Sequence, residues 1–184
     1  MKIVRNNNSD LRLNFDQSKF IYKQLIEYLY ELVDNEKINI ICSIMNMNDY
    51  FGKIFCKIIL QIKVERRCNA GLSRFSITPE GEIYPCDSFV GNEKFCLGNI
   101  YSGFNNEYEI FRNFNIYSCP KCKKCWARTV CGGDCMHNSY LINSRINEPD
   151  EEICKLTKYL IEESIKLIMY MSNSHEQLSL KLYS

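Results

Sequence analysis

CPKCKKCWARTVCGGDC, residues 119–135, holds five of the eleven cysteines in a chain of 184 residues. Two residues separate Cys122 from Cys125, and three separate Cys131 from Cys135. A two-residue spacer lets the backbone turn back so that both thiolates face one metal. Gly132 and Gly133 relieve steric limits in the turn and let backbone N–H groups approach sulfur closely. The stretch signals a metal centre and, taken alone, leaves open which metal.

Composition narrows the setting. The length suits one domain, or a small domain with an appendage. Hydrophobic content of 46% and charged content of 24% are ordinary for a soluble globular chain. A net charge of +1 argues against a polyanion-binding surface, so no nucleic-acid partner is expected. The opening MKIVRNNNSD has no apolar h-region, which speaks against a signal peptide. No apolar run approaches the ~18–20 residues that span a bilayer, so no membrane partner is expected either. The expected location is the reducing cytoplasm, where clustered thiols mean metal or redox chemistry. An odd number of cysteines also fits poorly with a complete set of internal disulfides.

Upstream of the cysteine loop, Met1–Arg5 reads as a short strand and residues 6–10 as a loop. A helix is expected after Asp16, capped by Asp16 or Ser18. Phe20, Ile21, Leu25, Tyr28, Leu29 and Leu32 recur on it at helical spacing. Ile38–Ile41 is ambiguous between strand and helix. A second amphipathic helix is expected from Asp49 to about Ile62, with Phe51, Ile54, Phe55, Ile58 and Ile59 on one face. Cys42 and Cys56 fall among apolar residues and read as small buried hydrophobes.

The character changes at residues 65–68. From Cys68 to Cys135 glycines, turns and cysteines dominate, and the long apolar periodicity that marks a core is missing. Arg74–Thr78 and Glu82–Cys86 form two strand-like runs joined by Pro79, Glu80 and Gly81, a credible β-hairpin. Such a hairpin brings Cys68 and Cys86 toward each other at its base. Phe95–Ile100 reads as a further strand, Asn105–Phe114 as a short helix and Met136–Asn143 as a helical turn. Pro149 and Asp150 open a final helix to about Met171, with Ile153, Leu156, Leu160, Ile161, Ile165 and Ile168 on its apolar face. Cys154 lies in the first turns of that helix, where the N–H-rich end favours a thiolate. The tail after Ser172 is polar. The fold class expected is α+β: a small cysteine-rich domain with a β-hairpin, preceded by helices and closed by a C-terminal helix.

The cysteines have a longer-range order. Twelve residues separate Cys68 from Gly81 and four separate Gly81 from Cys86; Cys122, Cys125, Cys131 and Cys135 follow at spacers of two, five and three, and then Cys154. This order resembles the SPASM domain, the C-terminal module of many radical S-adenosylmethionine enzymes, whose pattern is C-x9–15-G-x4-C, gap, C-x2-C-x5-C-x3-C, gap, C. The resemblance implies two auxiliary iron–sulfur clusters of the 4Fe–4S type with interleaved ligands. The first would use Cys68, Cys86 and Cys135, and the second Cys122, Cys125, Cys131 and Cys154. Each cluster would then staple segments distant in sequence, in place of the apolar core that this region lacks. Lys121, Lys123, Lys124 and Arg128 would offset the negative charge of thiolate-ligated clusters, or form a solvated loop face. Trp126 would screen a cluster from water or serve ordinary packing. His137 reads as a helix-surface residue in preference to a ligand.

Two departures qualify the resemblance. Some family members place a further cysteine between the positions of Cys68 and Cys86, and this chain has none there. Cys96 or Cys119 would fill the place, or one iron would stay open for a substrate thiolate. The second departure is larger: the CxxxCxxC motif that holds the S-adenosylmethionine cluster is absent from the sequence. By itself the chain is therefore not expected to bind or cleave S-adenosylmethionine. Residues 1–67 resemble the end of the family's barrel and its linker helices, 68–154 the auxiliary-cluster domain, and 155–184 a C-terminal helix and tail. The reading that follows is an electron-transfer and peptide-binding domain of a radical S-adenosylmethionine peptide maturase. Its expected partners are a barrel in trans and a cysteine-rich peptide substrate. A zinc-binding interaction module and a sulfatase-maturase-like fragment are the alternatives.

Overall fold

Short polar side chains set where the helices begin. The computed structural model describes residues 13–174; the strand expected at Met1–Arg5 and the loop at 6–10 lie outside them, as does most of the tail. The chain divides into two compact units, one formed by residues up to Ile62 together with those from Glu151 onward, the other by Lys63–Asp150.

The first unit is helical. Helix α1 spans Phe15–Asp34. Its cap is Asn14, two residues ahead of Asp16 and four ahead of Ser18, the expected caps. The Asn14 side chain accepts from Gln17 N at 2.9 Å, and Gln17 Oε1 accepts from Asn14 N at 3.0 Å. This reciprocal box satisfies two N–H groups that the first turn leaves open. Asp16 instead sits inside the first turn, where its charge faces the positive helix end. The buried face is Ile26, Leu29, Leu32 and Val33, whereas Phe20, Ile21 and Tyr28 of the expected stripe are exposed. Apolar residues outnumber the positions that the neighbouring helices cover, so spacing alone selects the wrong subset.

The ambiguous run at Ile38 resolves as helix α2, Ile38–Ile44. Helix α3 spans Tyr50–Ile59, capped by Asp49, whose carboxylate accepts from Gly52 N at 2.9 Å. Its buried face, Phe51, Ile54, Phe55 and Ile59, is the expected one except that Ile58 is half-buried. Cys42 is exposed and Cys56 half-buried, so the reading of Cys42 as a buried hydrophobe is corrected. The seven residues of α2 bury only Ile41, which leaves Cys42 on the outer side.

Helix α8, Glu151–Ser174, packs on both α1 and α3. Leu156, Leu160, Ile161, Leu167 and Met171 are buried on it, while Ile165 is exposed, against expectation. Thr157 and Ser164 occupy the contact face in its place. Their hydroxyls return to carbonyls one turn back, at 2.6 Å to Ile153 O and 2.7 Å to Leu160 O, so no buried donor is stranded. Glu152 accepts from Phe15 N at 2.7 Å, and Tyr170 donates to Asp34 at 2.6 Å. The two helices thus run parallel, joined at both ends.

The second unit is α+β. Strands β1 (Ser76–Ile77), β2 (Glu82–Tyr84), β3 (Gly98–Asn99) and β4 (Gly103–Phe104) form an antiparallel meander in sequence order. The first hairpin pairs Ser76 with Tyr84 and Ile77 with Ile83. Gly81, at φ +85°, closes its turn with an N–H to Thr78 O at 2.9 Å. Short helices follow at α4 (Glu107–Arg112), α5 (Pro120–Lys123), α6 (Arg128–Cys131) and α7 (Met136–Asn143).

The expectation that this region lacks an apolar core is corrected. Ala70, Ile83, Tyr84, Phe89, Phe95, Leu97, Phe111 and Met136 form one buried cluster. Phe89, Phe95 and Phe111 meet pairwise with centroids 4.5–5.9 Å apart. This core escapes periodicity because its members come singly from strands, turns and short helices, and aromatic bulk compensates for their small number.

Candidate metal centre

Three connections bring the sequence-distant parts of the cysteine pattern together within the second unit. First, Val64 N donates to Thr129 O at 2.8 Å, and Ile116 N donates to Glu65 O at 2.9 Å. The segment leading to Cys68 therefore lies along the loop that carries Cys131. Second, Arg67 reaches Gly133 O at 3.5 Å, between Cys131 and Cys135. Third, Gly71 N donates to Pro85 O at 3.1 Å, which holds the chain just after Cys68 against the residue before Cys86. The base of the hairpin is thus tied at Gly71 and Pro85.

Arg66 fixes this entry. Its guanidinium donates to Arg112 O at 2.9 Å, Phe111 O at 2.9 Å and Ala70 O at 3.1 Å. The Phe111 and Arg112 carbonyls lie at the end of α4, where a cation is favoured. Burial holds the Arg66 guanidinium below its ordinary range, and its Nε is buried without a partner.

The loop itself is built from turns that each place one thiol. Cys119 caps α5, with Pro120 at the first helical position. Its sulfur accepts from Cys122 N at 3.3 Å. Cys119 and Cys122 are both buried and pack with Ile116. The Cys119 thiol is held down to about 6, first by a hydrogen bond from the Cys122 side chain, with the Cys122 and Lys121 N–H groups and the Lys121 charge adding to it. Cys125 N donates to Cys122 O at 2.9 Å, closing the two-residue turn. Gly132 ends α6 at φ +76°, and Cys131 Sγ donates to Gly133 O at 3.3 Å. A Cβ on Gly132 would stand 2.9 Å from Arg66 O and 3.0 Å from the Val64 side chain. Cys119, Cys122, Gly132, Gly133 and Asp134 border one narrow cavity, so the two halves of the loop face each other.

Asp134 organises the far end, a role the sequence reading missed. One carboxylate accepts from Cys135 N at 2.7 Å, Asn138 Nδ2 at 3.0 Å, Ser139 Oγ at 3.3 Å and Asp150 N at 3.1 Å. It thereby ties Cys135 and the start of α7 to Asp150, the residue before α8. The available signal was an aspartate just ahead of a helix start, where orphan N–H groups need an acceptor.

Among the expected ligands, Cys68 is exposed, Cys122 buried, and Cys86, Cys125, Cys131, Cys135 and Cys154 half-buried. Burial pushes the Cys86 thiol up. Cys154 lies on α8 and belongs to the first unit. All eleven cysteines stand as thiols, outside any disulfide. Among the described residues, no three Cys, His, Asp or Glu side chains converge on a point that could hold a single metal ion. The donor chemistry nevertheless fits iron–sulfur ligation: soft sulfur donors carried on turns, with glycine N–H groups beside them.

The flanking residues divide. Lys121 pairs with Glu148 at 3.8 Å, and Arg128 donates to Cys125 O at 3.2 Å, while Lys123 and Lys124 are exposed. Trp126 is 56% exposed, so it does not pack in a core. His137 stands edge-on to Phe89, with centroids 5.1 Å apart. Cys96 donates to Gly98 O at 3.4 Å and packs on the aromatic core of the sheet. No helix among the described residues is long and apolar enough to cross a membrane.

Comparison with known proteins supports the same chemistry. An uncharacterized protein of Archaeoglobus fulgidus is 29% identical over 77 residues, which cover 40% of this chain and 18% of that protein. The chain thus spans well under two thirds of that relative's length. Residues 68–126, which include Cys68, Cys86, Cys122 and Cys125, match the SPASM family, an iron–sulfur cluster-binding domain, and the resemblance drawn from the cysteine order holds.

Proposed function

We propose that the chain is the auxiliary-cluster part of a radical S-adenosylmethionine peptide maturase. It would bind two 4Fe–4S clusters, pass electrons and hold a cysteine-rich peptide, with a cleaving barrel supplied in trans. The observation that carries this reading is the SPASM match over residues 68–126, continued by Cys131, Cys135 and Cys154 at the family's spacing. Cys68, Cys86 and Cys135 are the proposed ligands of one cluster; Cys122, Cys125, Cys131 and Cys154 are those of the other. When bound, such clusters supply one-electron chemistry at a potential tuned by charge and hydrogen bonds to sulfur. The chain's own contribution is rigid placement. Arg67 and Gly71 hold the two ends of the hairpin segment, and Asp134 fixes Cys135.

Anaerobic purification tests the reading. A brown protein containing iron and acid-labile sulfide, with an EPR signal on reduction, is the expected result. Replacing Cys125 or Cys131 by Ala should remove about half of the iron, because each belongs to one of two clusters. A colourless protein with stoichiometric zinc and no sulfide would overturn the proposal.

A further inference from the structure

Away from the cysteine loop, the second unit carries a groove of about 410 Å³ between α4, the turn at Glu93–Phe95 and the end of α7. That volume lies within the range of ligand sites. Its floor is aromatic: Phe95, Phe111, Phe114 and Tyr140 line it. Phe95 and Tyr140 meet edge-to-face at 4.6 Å, which stiffens the floor. Ile110, 51% exposed, extends the apolar surface along one side. A floor of this kind accepts a large apolar side chain with little rearrangement.

The rim selects by charge. Lys94 and Arg145 line the groove, against one carboxylate, Glu107. The Lys94 ammonium stands 5.3 Å from the Tyr140 ring centroid and 5.8 Å from that of Phe95, so it is held directly over the floor. Among the described residues it forms no ion pair with a carboxylate. Arg145 meets Glu148 at 3.9 Å with its side chain 73% exposed. A pair so open to solvent is weak and readily exchanged for another carboxylate. Asn113 and Asn147 add side-chain amides, which suit an extended backbone more than a lone hydrocarbon.

We infer that this groove binds a peptide segment in which a large apolar residue is flanked by an acidic one. The apolar side chain lies on the aromatic floor and the carboxylate meets Lys94 and Arg145. The inference rests on the peptide-maturase reading and specifies the peptide it would hold. An overall charge of only +1 disfavours a nucleic-acid occupant.

A random heptapeptide display library, panned anaerobically on the full chain and on a Lys94→Glu/Arg145→Glu variant, tests it. Both replaced side chains are exposed, so the variant should fold. The wild type should enrich peptides carrying Asp or Glu within two positions of Phe, Leu, Ile or Tyr. The strongest of these, remade with a fluorescent label, should bind the variant about tenfold more weakly by anisotropy. Enrichment of basic peptides, no enrichment, or equal affinity for the variant would overturn the inference. Iron and sulfide are measured on the same samples. A cluster-loaded chain that enriches nothing sinks the groove alone, and a zinc-loaded chain that enriches acidic–apolar peptides sinks the cluster reading alone.

Discussion

Removing the Asp134 carboxylate would take the acceptor from the N–H groups of Cys135 and Asp150 and from Ser139 Oγ, and would leave Asn138 Nδ2 only its longer contact of 3.4 Å to the Asp150 carboxylate. Hydrogen bonds to a charged acceptor are individually worth more than neutral ones, and some of these donors are partly buried. Asp134→Ala should therefore cost about 2–4 kcal/mol in urea unfolding of the metal-loaded chain, and Asp134→Asn less. Equal stability of all three proteins would show that water replaces the carboxylate. Cys119 poses a different question, since it falls outside the seven-cysteine pattern. The structure gives it a capping role, with its sulfur accepting from Cys122 N. Serine is a good cap, so Cys119→Ser should leave both iron content and stability nearly unchanged, whereas Cys119→Ala should cost about 1 kcal/mol. Loss of iron in Cys119→Ser would make Cys119 a ligand. Neither role was legible in the sequence. Asp134 bonds as far away as Asp150, and a cysteine is not among the residues by which a cap is ordinarily recognised.

The β3–β4 hairpin depends on one residue without a side chain. Gly98 pairs with Phe104 at φ +132°, and a Cβ there would run into the Gly103 carbonyl and Phe104 Cα. Gly98→Ala combines a disfavoured backbone conformation with a collision against backbone that cannot yield cheaply. It should lower stability by about 2–3 kcal/mol, visible as an earlier thermal transition by circular dichroism. An unchanged melting curve would mean that the last two strands contribute little. The first hairpin was readable because Pro79, Glu80 and Gly81 announce its turn. Of the second, only β3 was readable, inside the strand expected at Phe95–Ile100; β4 has two residues, and with Gly98 opposite it there is no alternation to follow. Helices show the converse. The existence of the long helices α1 and α8 was plain from spacing, yet Phe20, Ile21 and Tyr28 on α1 and Ile165 on α8 proved exposed. Spacing says that a helix has an apolar side, and only the partner helices decide which residues they cover.

Two separate cores shape how the chain should respond to losing metal. The helical unit is held by apolar contacts among α1, α3 and α8, and the second unit by Phe89, Phe95, Phe111 and their neighbours. The cysteine loop, by contrast, has the small buried group of Ile116, Cys119 and Cys122 and the buried methyl of Ala127, plus turns of three or four residues. Apolar burial is indifferent to metal, whereas thiolates crowded into short turns repel one another when no cation joins them. Iron removal by chelation under oxidation, followed by reduction of the thiols, should therefore act locally. Amide hydrogen exchange read by mass spectrometry should show protection in α1, α3 and α8 nearly unchanged. Protection around β2 and Phe111 should be partly retained, and the marked loss should fall within residues 119–135. The expected local rise on the order of 10²-fold in exchange rate corresponds to opening cheaper by about 3 kcal/mol. Loss of protection throughout both units would show that the clusters hold the whole chain together, and that the aromatic core is too small to persist without them.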